Sequence, residues 1–426
     1  MTAIPAAFDG PSVSVHSVEI FRRGARYRSH DREVARAGEL SIDIGIAPTL
    51  MLSDDARWLR QQVPLLPPLP PLDVRLGIIR SALALFRSGE VSEQSPDDFF
   101  DVLQRGCGLP GALIDHWIDL LCSRLDHVAS SSGGSYGGIE LVSLPANTFV
   151  CLEACLAALL RSDAVWIRPS RREPFSATRF LDCLVQAGWP PVRLGMYPTR
   201  HDGLLGAVDV TDRAIVFGGS ELPKALDRRG HVKVQGPGRT RALIGREGDP
   251  GRTSGLLTKL IASQSGRFCT NVGTVLCAND VDSLGVAVAG ALDQISIEAT
   301  ADANYPQARP TSRAQALRQV DWIMSRMRPD DMLLTSRPIF VETPAGTALA
   351  PSLIKLGTVD GHPLIGMELP FSVACIGEVP EERQSVFCGD AGFIYAIGYL
   401  PGTKPANLPT HASVTVIDLD RSPPWP

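Results

Sequence analysis

From Ile139 onward the chain alternates short apolar runs with amphipathic stretches, and that alternation constrains its fold more than any other feature. Ile139–Leu144, Ala164–Arg168, Val192–Tyr197 and Ala214–Phe217 read as strands, with helices over Thr148–Leu160 and Glu173–Ala187 between them. Strands separated by helix-length connections cannot pair as hairpins, so they predict an α/β fold with a largely parallel sheet. Each strand ends in a polar or glycine-containing turn: Pro145-Ala146-Asn147, Pro169-Ser170-Arg171 and Gly218-Gly219-Ser220. In open parallel sheets these carboxyl-end turns line the ligand crevice. No GxGxxG motif follows any of the strands, so the usual dinucleotide fingerprint is absent.

The flanking regions differ in character. Residues 1–60 read as short β runs with charged turns, and the proline-rich stretch Val63 to Leu72 as an extended, covering linker. Helical periodicity runs over Asp73–Arg87 and over Pro96–Val128, broken at Gly106–Pro110. Residues 130–138 read as a flexible glycine- and serine-rich turn; no Lys-Ser/Thr follows to make a phosphate loop. Further on come a helix around Ser254–Gln264, a strand at Thr274–Cys277, helices over Val281–Ala299 and Arg309–Met327, and a β-rich region opening at Met332–Phe340. The run 412–418 reads equally as an internal edge strand or as one pairing across a subunit boundary.

Between the second-half helix and strand lies Ser263-Gln264-Ser265-Gly266-Arg267-Phe268-Cys269-Thr270. A thiol on a tight turn faces substrate while nearby backbone N–H groups point at the carbonyl it attacks, which makes Cys269 a candidate nucleophile. The competing reading is a buried core thiol, as expected for Cys151, Cys155, Cys183 and Cys277 in their hydrophobic runs. The nine cysteines form no CxxC pair, which counts against zinc, and no metal is expected. His201, His231 and His411 lie on separate turns without ligand spacing. Scattered, odd-numbered cysteines and an N-terminus without a basic region before an apolar core point to a cytoplasmic protein. A formal charge of −5 argues against a nucleic-acid surface, and no run of apolar residues is long enough to span a membrane.

The turns, taken in order, resemble those of the aldehyde dehydrogenase superfamily. Leu144-Pro145-Ala146-Asn147 looks like its Pro-Trp-Asn loop, Trp166-Ile167-Arg168-Pro169-Ser170 like its Val-Lys-Pro-Ser strand end, and Phe217-Gly218-Gly219-Ser220 like Phe-Thr-Gly-Ser. Gly266-Arg267-Phe268-Cys269 is similar to Gly-Gln-x-Cys, and Gly366-Met367-Glu368-Leu369-Pro370-Phe371 to Glu-Glu-x-Phe-Gly-Pro. The resemblance spans residues 139–413. It implies an aldehyde-dehydrogenase-like fold: two α/β domains with parallel-rich sheets plus a small oligomerisation β element. The expected division is an N-terminal extension over 1–129, a cofactor-binding domain over 130–240, a catalytic domain over 241–395 and an oligomerisation strand and tail over 396–426. It also implies that Cys269 attacks an aldehyde or acyl carbonyl and that Asn147 and the Cys269 N–H hold the oxyanion. Arg168 and Ser170 would meet the adenosine ribose, Gly219 and Ser220 the pyrophosphate, and Glu368 the nicotinamide ribose, with Phe371 in the same cofactor set.

Two departures shape the functional expectation. The stretch matching the family's Glu-Leu-Gly-Gly-Lys, Val232 to Thr240, carries no carboxylate to activate water. That favours reduction of an acyl thioester, from acyl-CoA or an acyl carrier protein, and the Gly-Pro-x-Arg-Ser/Thr pattern resembles the fatty-acyl-CoA reductase branch. Oxidation of an aldehyde to acid or acyl-CoA is the alternative, and a non-catalytic scaffold of the same fold is the third reading. Where NAD-preferring relatives often carry a glutamate stands Arg171, then Arg172, so NADPH is expected ahead of NADH. Arg267 beside the nucleophile reads as a surface charge in preference to a group that lowers the Cys269 pKa. A homodimer or homotetramer is expected.

Overall fold

The computed structural model of the chain describes residues 15–131, 134, 136–219, 221–226, 229–298, 304–399 and 405–419. These form two compact units, each assembled from separate stretches. The first comprises residues up to Cys107, Arg124–Ala146 and Leu152–Ala214; the second comprises Gly108–Ser123, Asn147–Cys151 and residues from Ile215 onward.

In the first unit the strands Ile139–Ser143, Ala164–Arg168 and Leu194–Met196 lie side by side in parallel. Helices Glu153–Arg161 and Phe175–Gln186 make the two crossovers, as the alternation predicts. Ile139–Ser143 is buried along its whole length, the signature of a parallel strand covered on both faces. Its one acid, Glu140, is matched by the Arg161 guanidinium and by the Ser162 hydroxyl at 2.6 Å. Ile20–Arg22 continues the sheet antiparallel to Leu194–Met196, and Ala25–Tyr27 follows it. A separate three-stranded sheet orders Val15–Val18, Leu40–Gly45 and Arg32–Ala37.

Two expectations for the N-terminal region need correction. Thr49–Gln62 is a helix, burying Leu52, Ala56 and Leu59 on one face at helical spacing. The acidic pair Asp54-Asp55 obscures that stripe in the sequence, yet Asp55 is buried, accepting from Arg22 at 2.7 Å and from the Tyr197 hydroxyl at 3.0 Å. The proline-rich stretch is also not extended throughout: Val63–Leu65 adds one 3-10 turn to that helix. Proline fits the opening of a helical turn, where its fixed φ suits and its missing N–H has no partner to lose.

The second unit is built on a seven-stranded sheet in the order Met332–Leu333, Ser352–Lys355, Val373–Glu378, Val272–Cys277, Thr240–Ile244, Phe393–Ile397, Ser413–Ile417. Every neighbouring pair is parallel except the one at the Met332–Leu333 edge. Val272–Cys277 is central and wholly buried. Helices Pro250–Ala262 and Val281–Asp293 cover the sheet through Leu257, Ile261, Leu284 and Val288. Ser413–Ile417 forms the other edge, parallel to Phe393–Ile397 of its own chain. The helix expected to reach Gln264 stops at Ala262, and that early stop creates the turn carrying Cys269.

Candidate active site

After Ala262 the backbone leaves the helix: Ser263 is extended, and Gln264, Ser265 and Gly266 follow in the left-handed region at φ 55°, 58° and 65°. Only glycine adopts that conformation freely, so the other two must be held by their surroundings. Gln264 Oε1 accepts from Trp117 Nε1 at 2.7 Å, and Gln264 Nε2 lies 2.8 Å from His116 Nε2. Ser265 Oγ accepts the Ala308 N–H at 2.7 Å. A side chain at Gly266 would meet the Phe371 backbone at 2.5 Å.

Asn271 closes the turn from the other side. Its Oδ1 accepts the Phe268 N–H at 2.8 Å, and its Nδ2 donates to the Ser263 carbonyl at 2.9 Å and the Leu260 carbonyl at 3.0 Å. One side chain therefore ties the end of the helix to the residue before Cys269. Asn271 is not among the site residues expected from the sequence. Its signal was available, since asparagine characteristically satisfies turn backbones.

Cys269 is half-buried between Phe268 and Thr270, and all nine cysteines are free thiols. Its carbonyl accepts from Thr240 Oγ1 at 2.6 Å. The glycine loop Gly236-Pro237-Gly238 lies against the same group: a Cβ at Gly238 would fall 1.6 Å from the Cys269 carbonyl oxygen. Asn147 is brought to this turn from 120 residues away, its Nδ2 donating to the Arg267 carbonyl at 2.6 Å. That bond uses one of the two amide hydrogens. Arg267 is half-buried, not the exposed charge preferred from sequence.

Burial, and then the negative charge of Glu368, push the Cys269 thiol up to about 11. Glu368 is exposed as a residue, yet protein crowded round its carboxylate raises its pKa; the N–H groups of Arg239 and Gly238 and the Arg239 charge oppose the rise. Tyr395 also faces the cysteine. Burial, then the Cys269 charge, raise its phenol to about 12, against a hydrogen bond with Thr270. Behind this group, Asp390 joins the guanidiniums of Arg239 and Arg241, and Arg241 is 1% exposed. Tyr395, Asp390 and Arg241 carried no sequence signal, because they sit within or beside apolar strands whose pattern they merely interrupt.

In the first unit, among the described residues, Arg168 donates only to neutral oxygens: Thr199 Oγ1 at 2.7 Å, Ser143 Oγ at 3.2 Å and the Thr199 and Arg200 carbonyls. Burial and the neighbouring Arg171 lower its pKa to about 10. Ser170 Oγ accepts the Arg172 N–H at 3.2 Å. Arg171 is held by both carboxylate oxygens of Glu33, at 2.7 and 2.9 Å, so this cation already has an acid. Gly219 has open space around its α-carbon, and Ser220 lies outside the described residues. In the second unit Phe371 is 4% exposed, packed with Met367, Leu364 and Ile339 behind the Cys269 turn.

No protein-family model and no curated protein matches the chain by sequence. Solved structures do match. An NADP-dependent glyceraldehyde-3-phosphate dehydrogenase from Bacillus halodurans, complexed with NADP, superposes at a TM-score of 0.73 with 16% identity, covering 94% of this chain and 90% of that one. An aldehyde dehydrogenase mutant from Bacillus cereus gives 0.75 with 14% identity over 94% and 88%. An NAD-dependent benzaldehyde dehydrogenase from Corynebacterium glutamicum gives 0.74 with 12% identity over 94% and 93%. At such identities the likeness is one of architecture, and on that architecture the chain has the aldehyde dehydrogenase fold, an α/β fold with two sheets of mostly parallel strands.

Proposed function

We propose that the protein is an NAD(P)-dependent oxidoreductase working between aldehyde and acyl levels, with Cys269 as its nucleophile. The observation that carries this reading is the turn itself: three successive left-handed residues, of which Gln264 is held by Trp117 and Ser265 by Ala308, precede the thiol, and Asn147 bonds the Arg267 carbonyl two positions before it. Strain maintained by that many partners is characteristic of functional sites. Sγ attacks the carbonyl carbon, and the free hydrogen of Asn147 Nδ2 and the Cys269 N–H receive the oxyanion. A nicotinamide cofactor supplies or accepts the hydride when bound.

Residues 130–240 serve as the cofactor domain and 241–395 as the catalytic domain in this reading, with Gly219, Ser220, Glu368 and Phe371 on the cofactor's path. Arg168 fits an anionic dinucleotide: it is a crowded cation whose hydrogen-bond acceptors among the described residues are all neutral, so a phosphate or ribose oxygen would relieve it. The engagement of Arg171 by Glu33 weakens the case for NADPH over NADH, because the 2′-phosphate would have to compete with an existing carboxylate.

Named neighbours that oxidise aldehydes support oxidation to acid or acyl-CoA. The absence of a carboxylate within residues 232–240 favours the second reading, reduction of an acyl-CoA or carrier-bound thioester. Two panels separate them: aldehydes with NAD+ or NADP+, and acyl-CoAs with NADH or NADPH, followed by nicotinamide absorbance and by mass spectrometry of Cys269. Acid release from an aldehyde without CoA supports oxidation; thioester-dependent cofactor oxidation with an acyl adduct supports reduction. Cys269→Ser should lower either turnover at least ~1,000-fold. Unchanged turnover in that variant removes Cys269 as the nucleophile, and no turnover and no adduct in any panel removes the enzymatic reading and leaves the scaffold.

A further inference from the structure

One residue fastens the turn before Cys269 at both ends. Trp117, wholly buried on the helix Gly111–Ser131, donates its indole N–H to Gln264 Oε1 at 2.7 Å. Its ring packs against Phe268, 5.7 Å between centroids, and against Phe149 at 5.4 Å. Gln264 opens the left-handed run and Phe268 directly precedes the thiol, so the indole spans the turn. The preceding residue on the helix, His116, meets the other end of the same amide, with Gln264 Nε2 at 2.8 Å from His116 Nε2. The donors leave one arrangement. An indole N–H only donates, so Gln264 faces it with its carbonyl oxygen. The NH2 then faces the imidazole and donates to it. His116 Nε2 is therefore the acceptor, in a neutral ring that carries its proton on Nδ1.

We propose that His116 and Trp117 are positioning residues for Cys269 and that they hold its turn fully only while His116 is neutral. This rests on Cys269 being the nucleophile. When Nε2 of the imidazole takes a proton it becomes a donor, and it meets the Gln264 NH2 donor to donor. Rotating the amide satisfies the imidazolium but leaves the buried indole N–H without its acceptor. Either way one of the two bonds is lost. Gln264 and Ser265, left-handed against their own preference, then lose part of what holds them. The hold is present where the ring is neutral and is lost as pH falls through the ordinary imidazole range. The charged groups on the surrounding elements are Asp115 and Asp119 on its own helix, Arg267 on the turn, and Arg309, whose N–H bonds the Gly108 carbonyl before the helix. Among the described residues His116 makes no ion pair. Those charges set the midpoint of the loss but not its direction, because the bond requires the neutral ring.

The test uses the full chain without substrate or cofactor, so it stands whatever the turnover panels say of the nucleophile. Hydrogen exchange is read by mass spectrometry in peptides covering 264–269, where the Arg267 N–H bonds the Gln264 carbonyl at 3.1 Å and the Phe268 N–H bonds Asn271 Oδ1 at 2.8 Å. After correction for intrinsic exchange, wild-type protection should fall at least ~5-fold between about pH 7.5 and about pH 5.5. H116Q, whose side-chain carbonyl accepts from Gln264 at every pH, should stay level. W117F keeps a ring against Phe268 and keeps the histidine, but it frees the Gln264 amide to suit either form of the imidazole. Its protection should be lower at neutral pH and independent of pH. In parallel, Cys269 is labelled with a dithiodipyridine, and the wild-type rate is divided by the H116Q rate to cancel the titration of the thiol itself. That ratio should be near one at neutral pH and rise at least ~3-fold in acid, as the turn loosens around the half-buried thiol. Level wild-type protection, a wild-type slope retained in H116Q or W117F, or a flat labelling ratio overturns the proposal. If one variant fails to fold, the slope in the other decides.

Discussion

The Cys269 turn and the arginine cluster of the first unit are fixed by different physics. The turn is determined by backbone: left-handed residues, glycines that a methyl group would push into neighbouring main chain, and an asparagine that closes the loop. The arginine cluster is held by side-chain charge. Arg171 is paired with Glu33, Arg200 with Asp31, and Arg168 is left among neutral oxygens. Backbone placement is rigid and tolerates no added atom, whereas charge placement adjusts when a partner or a ligand changes. The second region should therefore tolerate substitution, and the first should not.

The sharpest way to break that contrast is Gly238→Ala. With the Cβ only 1.6 Å from the Cys269 carbonyl, main chain must move, and both neighbours are backbone. A loss of about 3 kcal/mol or more is expected in denaturant unfolding, together with loss of selective Cys269 alkylation. Near-wild-type behaviour would show that the turn is adjustable after all.

A smaller effect is expected in the first unit at Glu173, buried at the entry of helix Phe175–Gln186 and bonded to the Ser176 N–H at 2.9 Å. Burial raises its pKa from 4.5 to about 7. The folded protein therefore holds a proton that the unfolded chain has released, and stability falls as pH rises from about 4.5 to about 7. Glu173→Gln keeps the acceptor and removes the charge. It should stabilise the protein by up to about 2 kcal/mol above neutral pH and by little in acid, read from melting temperature against pH.

The smallest effect is expected from Glu33→Gln. It frees Arg171 from a half-exposed pair worth less than about 1 kcal/mol, so the NADP+ to NAD+ affinity ratio should rise only a few-fold in calorimetric titrations. An unchanged ratio would remove Arg171 from the 2′-phosphate reading.

Much of this site was legible in the linear sequence, residue by residue. Cys269 stands on a turn because Gly266 and the polar residues before it cannot continue the helix, and Asn147 ends a strand where a ligand-facing turn is expected. The helix Thr49–Gln62 was hidden by acids that prove to be partners of Arg22 and Arg23. The partner of Arg171 was equally hidden, since Glu33 is 138 positions away. Local patterns report local geometry, and charge pairs between distant segments leave no periodic trace.

By itself the sequence determined the parallel α/β layers, because buried strands such as Val272–Cys277 must be apolar throughout, and it determined which thiol stands on a strained turn. Only the tertiary structure decided what faces that thiol. Glu368 comes from a distant loop to line one hollow with Gly266 and Phe268, and the arginine expected to await a phosphate already holds an acid. The reason is sheet order: Val373–Glu378 and Thr240–Ile244 both lie beside Val272–Cys277, and that adjacency brings together turns that the chain keeps far apart.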